Sequence, residues 1–137
     1  MGRAAQSDTM VMGRKTYEFA RAHGTSVRMP GINPYVFSRT LEQTECPDAT
    51  VSADARGTVS SLRQQQGKDI WLFGGGSLFR SLLDLGLVDT IEVAVIPVLL
   101  GGGVPFLPEG DTRSALRLVR HRLYSRTGRM WLEYEVA

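Results

Sequence analysis

The stretch Ile70-Trp71-Leu72-Phe73-Gly74-Gly75-Gly76-Ser77 is an apolar run closed by three glycines, and Leu78, Phe79, Leu82 and Leu83 behind it recur at helical spacing as far as Gly86. A short run that is apolar at every position reads as a strand buried on both faces, as in a parallel sheet, and the spacing that follows reads as an amphipathic helix. The same grammar occurs earlier: residues 9–12 read as a short buried strand, Gly13 closes it, and Arg14-Lys15-Thr16 open a helix over 14–22 that Gly24 stops. The first amides of a helix lack intrahelical partners and carry partial positive charge, so each junction is a candidate anion site.

Outward from these two units, Pro30, Gly31 and Pro34 break the chain before Tyr35-Val36-Phe37, a strand that ends in the polar run Ser38-Arg39-Thr40. Cys46-Pro47-Asp48 reads as a turn, 50–52 as a brief strand, and 58–66 as a helix with Val59 and Leu62 inward and Gly67 as its stop. Residues 90–98, mostly β-branched and apolar, read as a strand, and Gly101-Gly102-Gly103-Val104-Pro105 as a loop. The last third changes character: 115–125 and 130–136, joined near Thr127-Gly128, read as an antiparallel hairpin. In its first strand Leu116, Leu118 and Tyr124 share a side with Arg120 and Arg122, a conflict that a β-bulge resolves. Strand and helix in alternation predict an α/β protein with a mainly parallel sheet covered by helices and ligands at the carboxyl ends of the strands.

A chain of 137 residues, 42% hydrophobic and 22% charged, fits a single domain over 1–137. A net charge of +2 does not compel a nucleic-acid partner. Arg117, Arg120, Arg122, Arg126 and Arg129 are interspersed with Glu133 and Glu135 and read as a solvated outer face. Cys46 is the single cysteine, which excludes an intrachain disulfide and a thiol-rich metal site, and no metal-ligand spacing is found. With neither a signal-like apolar start nor an apolar run of about 20 residues, the expected location is the cytoplasm, away from the membrane.

Several motifs fail on inspection. Phe79 stands where a G-x-G-x-x-G fingerprint needs its third glycine and where a G-x-S-x-G elbow around Ser77 needs its last one. Arg14 interrupts the Gly-Lys-Thr of a phosphate-binding P-loop, and the upstream glycine is missing. His23 and His121 are isolated, and Asp8, Asp69, Asp84 and Asp89 border elements, where turn and cap roles are expected. Taken alone, the triple glycine serves equally as a tight turn without a ligand, and Arg14-Lys15 as a solvated basic surface. Cations at a helix start are nevertheless unfavourable unless an anion sits there.

Four segments occur in order along nearly the whole chain: Val11-Met12-Gly13-Arg14-Lys15-Thr16-Tyr17-Glu18, Val36-Phe37-Ser38-Arg39-Thr40, Phe73-Gly74-Gly75-Gly76-Ser77-Leu78 and Pro97-Val98-Leu99-Leu100-Gly101-Gly102-Gly103. With them the chain resembles the dihydrofolate reductase superfamily. Within it, the chain is most similar to bacterial dihydrofolate-reductase-like proteins that share the C-terminal, pyrimidine reductase domain of the bifunctional riboflavin biosynthesis protein. The resemblance implies a three-layer α/β/α fold with a mainly parallel central sheet and a C-terminal antiparallel hairpin. It implies an NADPH-dependent reductase that passes hydride to a pterin-like or pyrimidine-like small molecule, the alternative being an NADP(H)-binding protein without reductase activity. Gly13, Arg14, Lys15 and Thr16 would lie at the phosphates, and Ser38, Arg39 and Thr40 near the adenosine 2′-phosphate with help from Arg14. Phe73, Gly74, Gly75, Gly76, Ser77 and Leu78 would approach the pyrophosphate, with a cis peptide between Gly74 and Gly75.

The chain departs from the family pattern at its start. Members open with a further strand, a mobile loop and a helix ahead of the segment matching residues 8–13, and that part usually contacts nicotinamide and substrate. No catalytic residue is therefore assigned. A missing first strand would leave sheet amides unpaired, for which a homodimer is one remedy and an incomplete gene start another.

Overall fold

In a computed structural model the chain is described over residues 7–110 and 112–137. Four short strands, β1 (Ser7–Gly13), β2 (Asn33–Phe37), β3 (Thr50–Ser52) and β4 (Asp69–Gly74), form a parallel sheet in the order β3-β2-β1-β4. The helices α1 (Arg14–Ala22), α2 (Ala55–Gln64) and α3 (Gly76–Asp84) are the crossovers that parallel strands require. Side-chain alternation along β1 divides the core. Met10 and Met12 point to the α1 side and pack with Tyr17, Val27, Ile32, Val36 and Cys46, whereas Val11 points the other way, to Val59 of α2 and Leu78 and Leu82 of α3. The expected three layers follow, and each fully buried Leu or Val contributes about 1.5–3 kcal/mol.

The second sheet is antiparallel, in the order β5-β7-β6: β5 (Thr90–Val95), β6 (Leu116–Tyr124) and β7 (Arg129–Val136). The predicted hairpin is β6–β7. β5 pairs with β7 and not with the parallel sheet, so among the described residues β4 and β5 each end a sheet. The bulge expected in β6 is present as a register shift between Leu118 and Arg120. It places Leu116, Leu118 and Leu123 opposite Val136, Tyr134 and Met130, and Arg117, Arg120 and Arg122 opposite Glu135, Glu133 and Trp131. One extra residue thus sorts apolar and charged side chains onto separate faces. The arginines are partnered on their own face: Arg117 pairs with Glu135, Arg120 reaches both carboxylate oxygens of Glu133 at 3.0 Å, and Arg122 lies 4.8 Å over the Tyr124 ring.

Of the boundaries that differ from the sequence reading, two have a clear local cause. α2 starts at Ala55 and not at residue 58, because the Asp54 carboxylate accepts the Gly57 amide at 3.0 Å and caps the helix despite the glycine in its first turn. β5 stops at Val95, before Pro97, which has no amide to offer a ladder. Of the aspartates flagged for turn and cap roles, Asp8, Asp84 and Asp89 make longer-range or side-chain bonds instead, Asp84 lying 3.4 Å from Arg80. Asp8 accepts the Lys68 amide at 2.9 Å, which holds it below the usual carboxylate range, and Asp89 pairs with Arg63 at 3.0 Å.

Candidate functional site

The two glycine junctions come together because β1 and β4 are adjacent and parallel. In register, Met12 lies opposite Gly74 and Gly13 opposite Phe37, so the strand ends at Gly13, Phe37 and Gly74 stand side by side at the carboxyl edge of the sheet. Gly13 caps α1 and Gly75 caps α3, neither with a side-chain hydrogen bond. The α3 ladder begins with Phe79, whose amide donates to the Gly75 carbonyl at 2.9 Å, leaving the amides of Gly76, Ser77 and Leu78 outside it. Two helix starts without acidic residues in their first turns thus face the same edge.

Close approach explains the glycines. A Cβ on Gly75 would lie 3.5 Å from the Gly13 nitrogen, and its φ of +109° is a conformation that L side chains rarely adopt. A Cβ on Gly74 would lie 3.0 Å from the Thr16 methyl, and one on Gly76 would lie 3.2 Å from Pro108. The Gly74–Gly75 peptide is trans, since no cis bond occurs among the described residues. That corrects the expected cis peptide; with Gly75 at positive φ the chain turns from β4 into α3 without it.

The other predicted residues take distinct places. Arg14 holds Glu18 at 2.5 Å one helical turn on, and both remain part-exposed. Lys15 and Arg39 are exposed, whereas Thr16 is half-buried against Gly74. The Ser38 hydroxyl accepts the amides of Thr40 at 3.1 Å and Leu41 at 3.0 Å, so it braces the turn that presents Arg39. Phe73 is exposed and meets Trp71 edge-on at 5.2 Å. Leu78 has its side chain in the core with Val11 and Leu82, which leaves its backbone amide as the part available to a ligand. All thirteen predicted positions therefore fall along the β2, β1 and β4 ends or the first turns after them.

Sequence reading missed three contributors. Glu18 is the internal partner of Arg14, and an acid four residues on is the available signal. Asp48 accepts the buried Tyr17 hydroxyl at 2.5 Å and thereby ties α1 to the turn before β3, across 31 residues of sequence. Burial, the bond to Asp48 and the nearby Cys46 all push the Tyr17 hydroxyl well above its usual range. Burial works against ionisation of Asp48, but the Tyr17 hydroxyl and nearby amides outweigh it and hold the carboxyl below its ordinary value. Lastly, Pro108 lies against the start of α3, 3.2 Å from where a Cβ on Gly76 would stand.

The model for the RibD C-terminal domain matches residues 2–127. The chain belongs to that family. It is 31% identical to the uncharacterised protein YyaP of Bacillus subtilis (strain 168) over 131 residues, covering 88% of this chain and 70% of that one. It is 30% identical over 112 residues to uncharacterised YwjB of the same strain, covering 81% of this chain and 64% of that one. A crystal structure of a candidate riboflavin biosynthesis protein from Shewanella sp. PV-4 superposes with a TM-score of 0.78 at 20% identity, covering 97% of this chain and 76% of the other. The dihydrofolate-reductase-like α/β fold of this RibD C-terminal-type domain is thereby established. Among the described residues no group of three or more His, Cys, Asp or Glu is placed to hold a metal ion, and no helix is long and apolar enough to cross a membrane.

Proposed function

We propose that this domain is an NADPH-dependent reductase acting on a pterin-like or pyrimidine-like small molecule such as 5-amino-6-(5-phosphoribosylamino)uracil. The observation that carries the reading is the meeting of two helix starts at Gly13 and Gly75, in van der Waals contact, with Gly75 held at a φ of +109° that L side chains rarely adopt. A dinucleotide needs such a place for its pyrophosphate. When bound, the cofactor supplies the hydride, and the protein supplies position and charge. In this reading the amides of Gly76, Ser77 and Leu78 hold phosphate oxygens. Arg14 exchanges Glu18 for phosphate, and Arg39, presented by the Ser38 turn with Thr40, pairs with the 2′-phosphate. Lys15 adds long-range attraction, Thr16 keeps the α1 start against Gly74, and Phe73 borders the cofactor face. Membership of the RibD C-terminal family supports a reductase, and the name of the Shewanella protein suggests a riboflavin-type substrate.

The domain is proposed to work in the cytoplasm as a homodimer, with no nucleic-acid or membrane partner. The apolar face of β6 supports the dimer: Leu116, Leu118 and Leu123 are about half exposed on a nine-residue edge strand.

NADPH oxidation followed by absorbance, with the aminouracil ribosyl phosphate and with a dihydropterin in separate runs, tests the activity. Oxidation that depends on one of them is expected. A second reading, nucleotide binding without turnover, is favoured by the open cleft that borders Gly74, Gly75 and Gly76, because hydride transfer requires a site closed to water. Saturable NADPH binding with no oxidation by either substrate would select it.

A further inference from the structure

Away from the strand ends, the chain that leads into β6 crosses α3 and touches it at three levels. Pro108 lies against the first turn, at Gly76. One turn on, the Arg80 guanidinium lies so close to Gly110 that a Cβ there would overlap it. Arg80 Nη2 donates to the Thr112 carbonyl at 2.9 Å and to the Thr112 hydroxyl at 3.0 Å. That hydroxyl in turn donates to Asp84 at 2.5 Å, and Arg80 Nε stands 3.4 Å from the same carboxylate. Gly76, Arg80 and Asp84 are four residues apart and form one stripe along the helix. The spacings match, because four helical residues rise about 6 Å and two residues of extended chain span about 6.6 Å. Only 12% of the Arg80 side chain is exposed, so its bonds are shielded from water, unlike those of a surface ion pair.

We infer that Arg80 is a positioning residue for the anion site at the start of α3: through Gly110 and Thr112 it clamps the loop along the helix, and Pro108 thereby fixes the turn that presents the Gly76, Ser77 and Leu78 amides. The start of α3 is held from two sides. Gly13 contacts Gly75 on one, and Pro108 packs on Gly76 on the other. Restraint from outside matters here because Gly75 caps the helix without a side-chain bond and Gly76 follows it, and paired glycines leave a backbone loose. Phe106, two residues before Pro108, meets Phe79 edge-on at 5.5 Å, so the same clamp seats an aromatic ring beside the glycine junction. Arginine suits the place better than lysine would. Its flat fork lies on a glycine and reaches a carbonyl, a hydroxyl and a carboxylate at once, whereas an ammonium keeps only the charge. The inference rests on the proposed phosphate role of these amides for what the clamp serves; the clamp itself is independent of that role.

The test compares Thr112→Val, Thr112→Ser and Arg80→Lys with the wild-type 137-residue chain in two readouts: calorimetric NADPH affinity, and amide hydrogen exchange of the nucleotide-free proteins. Thr112→Val keeps the side-chain shape and the Arg80 charge and removes the hydroxyl. It is expected to weaken NADPH about fivefold or more. It should also speed exchange of the Phe79 and Arg80 amides about tenfold, while the amides of β1 and β2 keep wild-type rates. Thr112→Ser is expected to restore both readouts, and Arg80→Lys to behave like Thr112→Val. Wild-type affinity in Arg80→Lys would overturn the inference by showing that charge alone matters. Unchanged exchange in Thr112→Val, or faster exchange throughout the chain, would overturn the clamp, and faster exchange at α3 with unaltered NADPH affinity would overturn its positioning role. No NADPH binding by the wild-type chain would overturn the cofactor reading and with it the anion role, and the exchange rates would still decide whether the clamp exists.

Discussion

Gly75 is where the requirements of backbone and ligand coincide. Its φ of +109° is strained for any residue with a side chain, so Gly75→Ala is expected to cost about 1–3 kcal/mol of stability, read from the denaturation midpoint. It should also weaken NADPH binding by displacing the α3 start, while an alanine at Gly13, with open space around it, should fold normally. The glycines were legible in the sequence because only close approach or a turn calls for three in a row. Ser38 was legible as a site residue but not as a brace, since its bonds to Thr40 and Leu41 depend on the turn that follows β2. The Tyr17–Asp48 bond was not legible at all, because nothing local links positions 31 residues apart.

That bond sets the expected pH behaviour. Asp48 has its carboxyl lowered in the folded state, so it contributes stability above about pH 4 that disappears as pH falls through the native value. Tyr17 has its hydroxyl raised, so its contribution is complete below about pH 10 and is lost as pH rises toward the native value. Tyr17→Phe is expected to cost about 1–2 kcal/mol at neutral pH, to narrow the acid flank and to abolish the alkaline one. Denaturant melts across the pH range check this; an unchanged alkaline flank would contradict it.

At the scale of elements, the alternation of strands and helices was legible from β1 to α3 because each apolar run ends at a glycine or a polar turn. The start of α2 was not, because Gly57 argues against a helix locally and only the Asp54 cap outweighs it. The bulge of β6 was legible as a conflict of faces, and its resolution creates the apolar stripe of Leu116, Leu118 and Leu123. If that stripe is the dimer contact, Leu118→Asp should leave the fold intact by circular dichroism and convert the protein to a monomer in sedimentation. A wild-type monomer at high concentration would refute the dimer.

At the scale of the whole molecule, the described residues form two sheets, and β4 and β5 do not pair with each other. Sequence reading expected a strand at 90–98 without fixing its partner. The apolar residues of that strand suit either sheet, and the antiparallel ladder with β7, six matched pairs long, holds it. The carboxyl edge of the parallel sheet is complete without β5, which is why the phosphate junctions are assembled even though the sheets are separate. The central claim is that this edge binds NADPH and reads its 2′-phosphate through Arg39. Calorimetric titration of the wild-type chain and of Arg39→Ala with NADPH and NADH in parallel tests it most directly. The account predicts saturable binding that prefers NADPH, and a loss of about 1–3 kcal/mol for NADPH alone in Arg39→Ala; equal weakening of both nucleotides, or no binding of either at millimolar concentration, would contradict it.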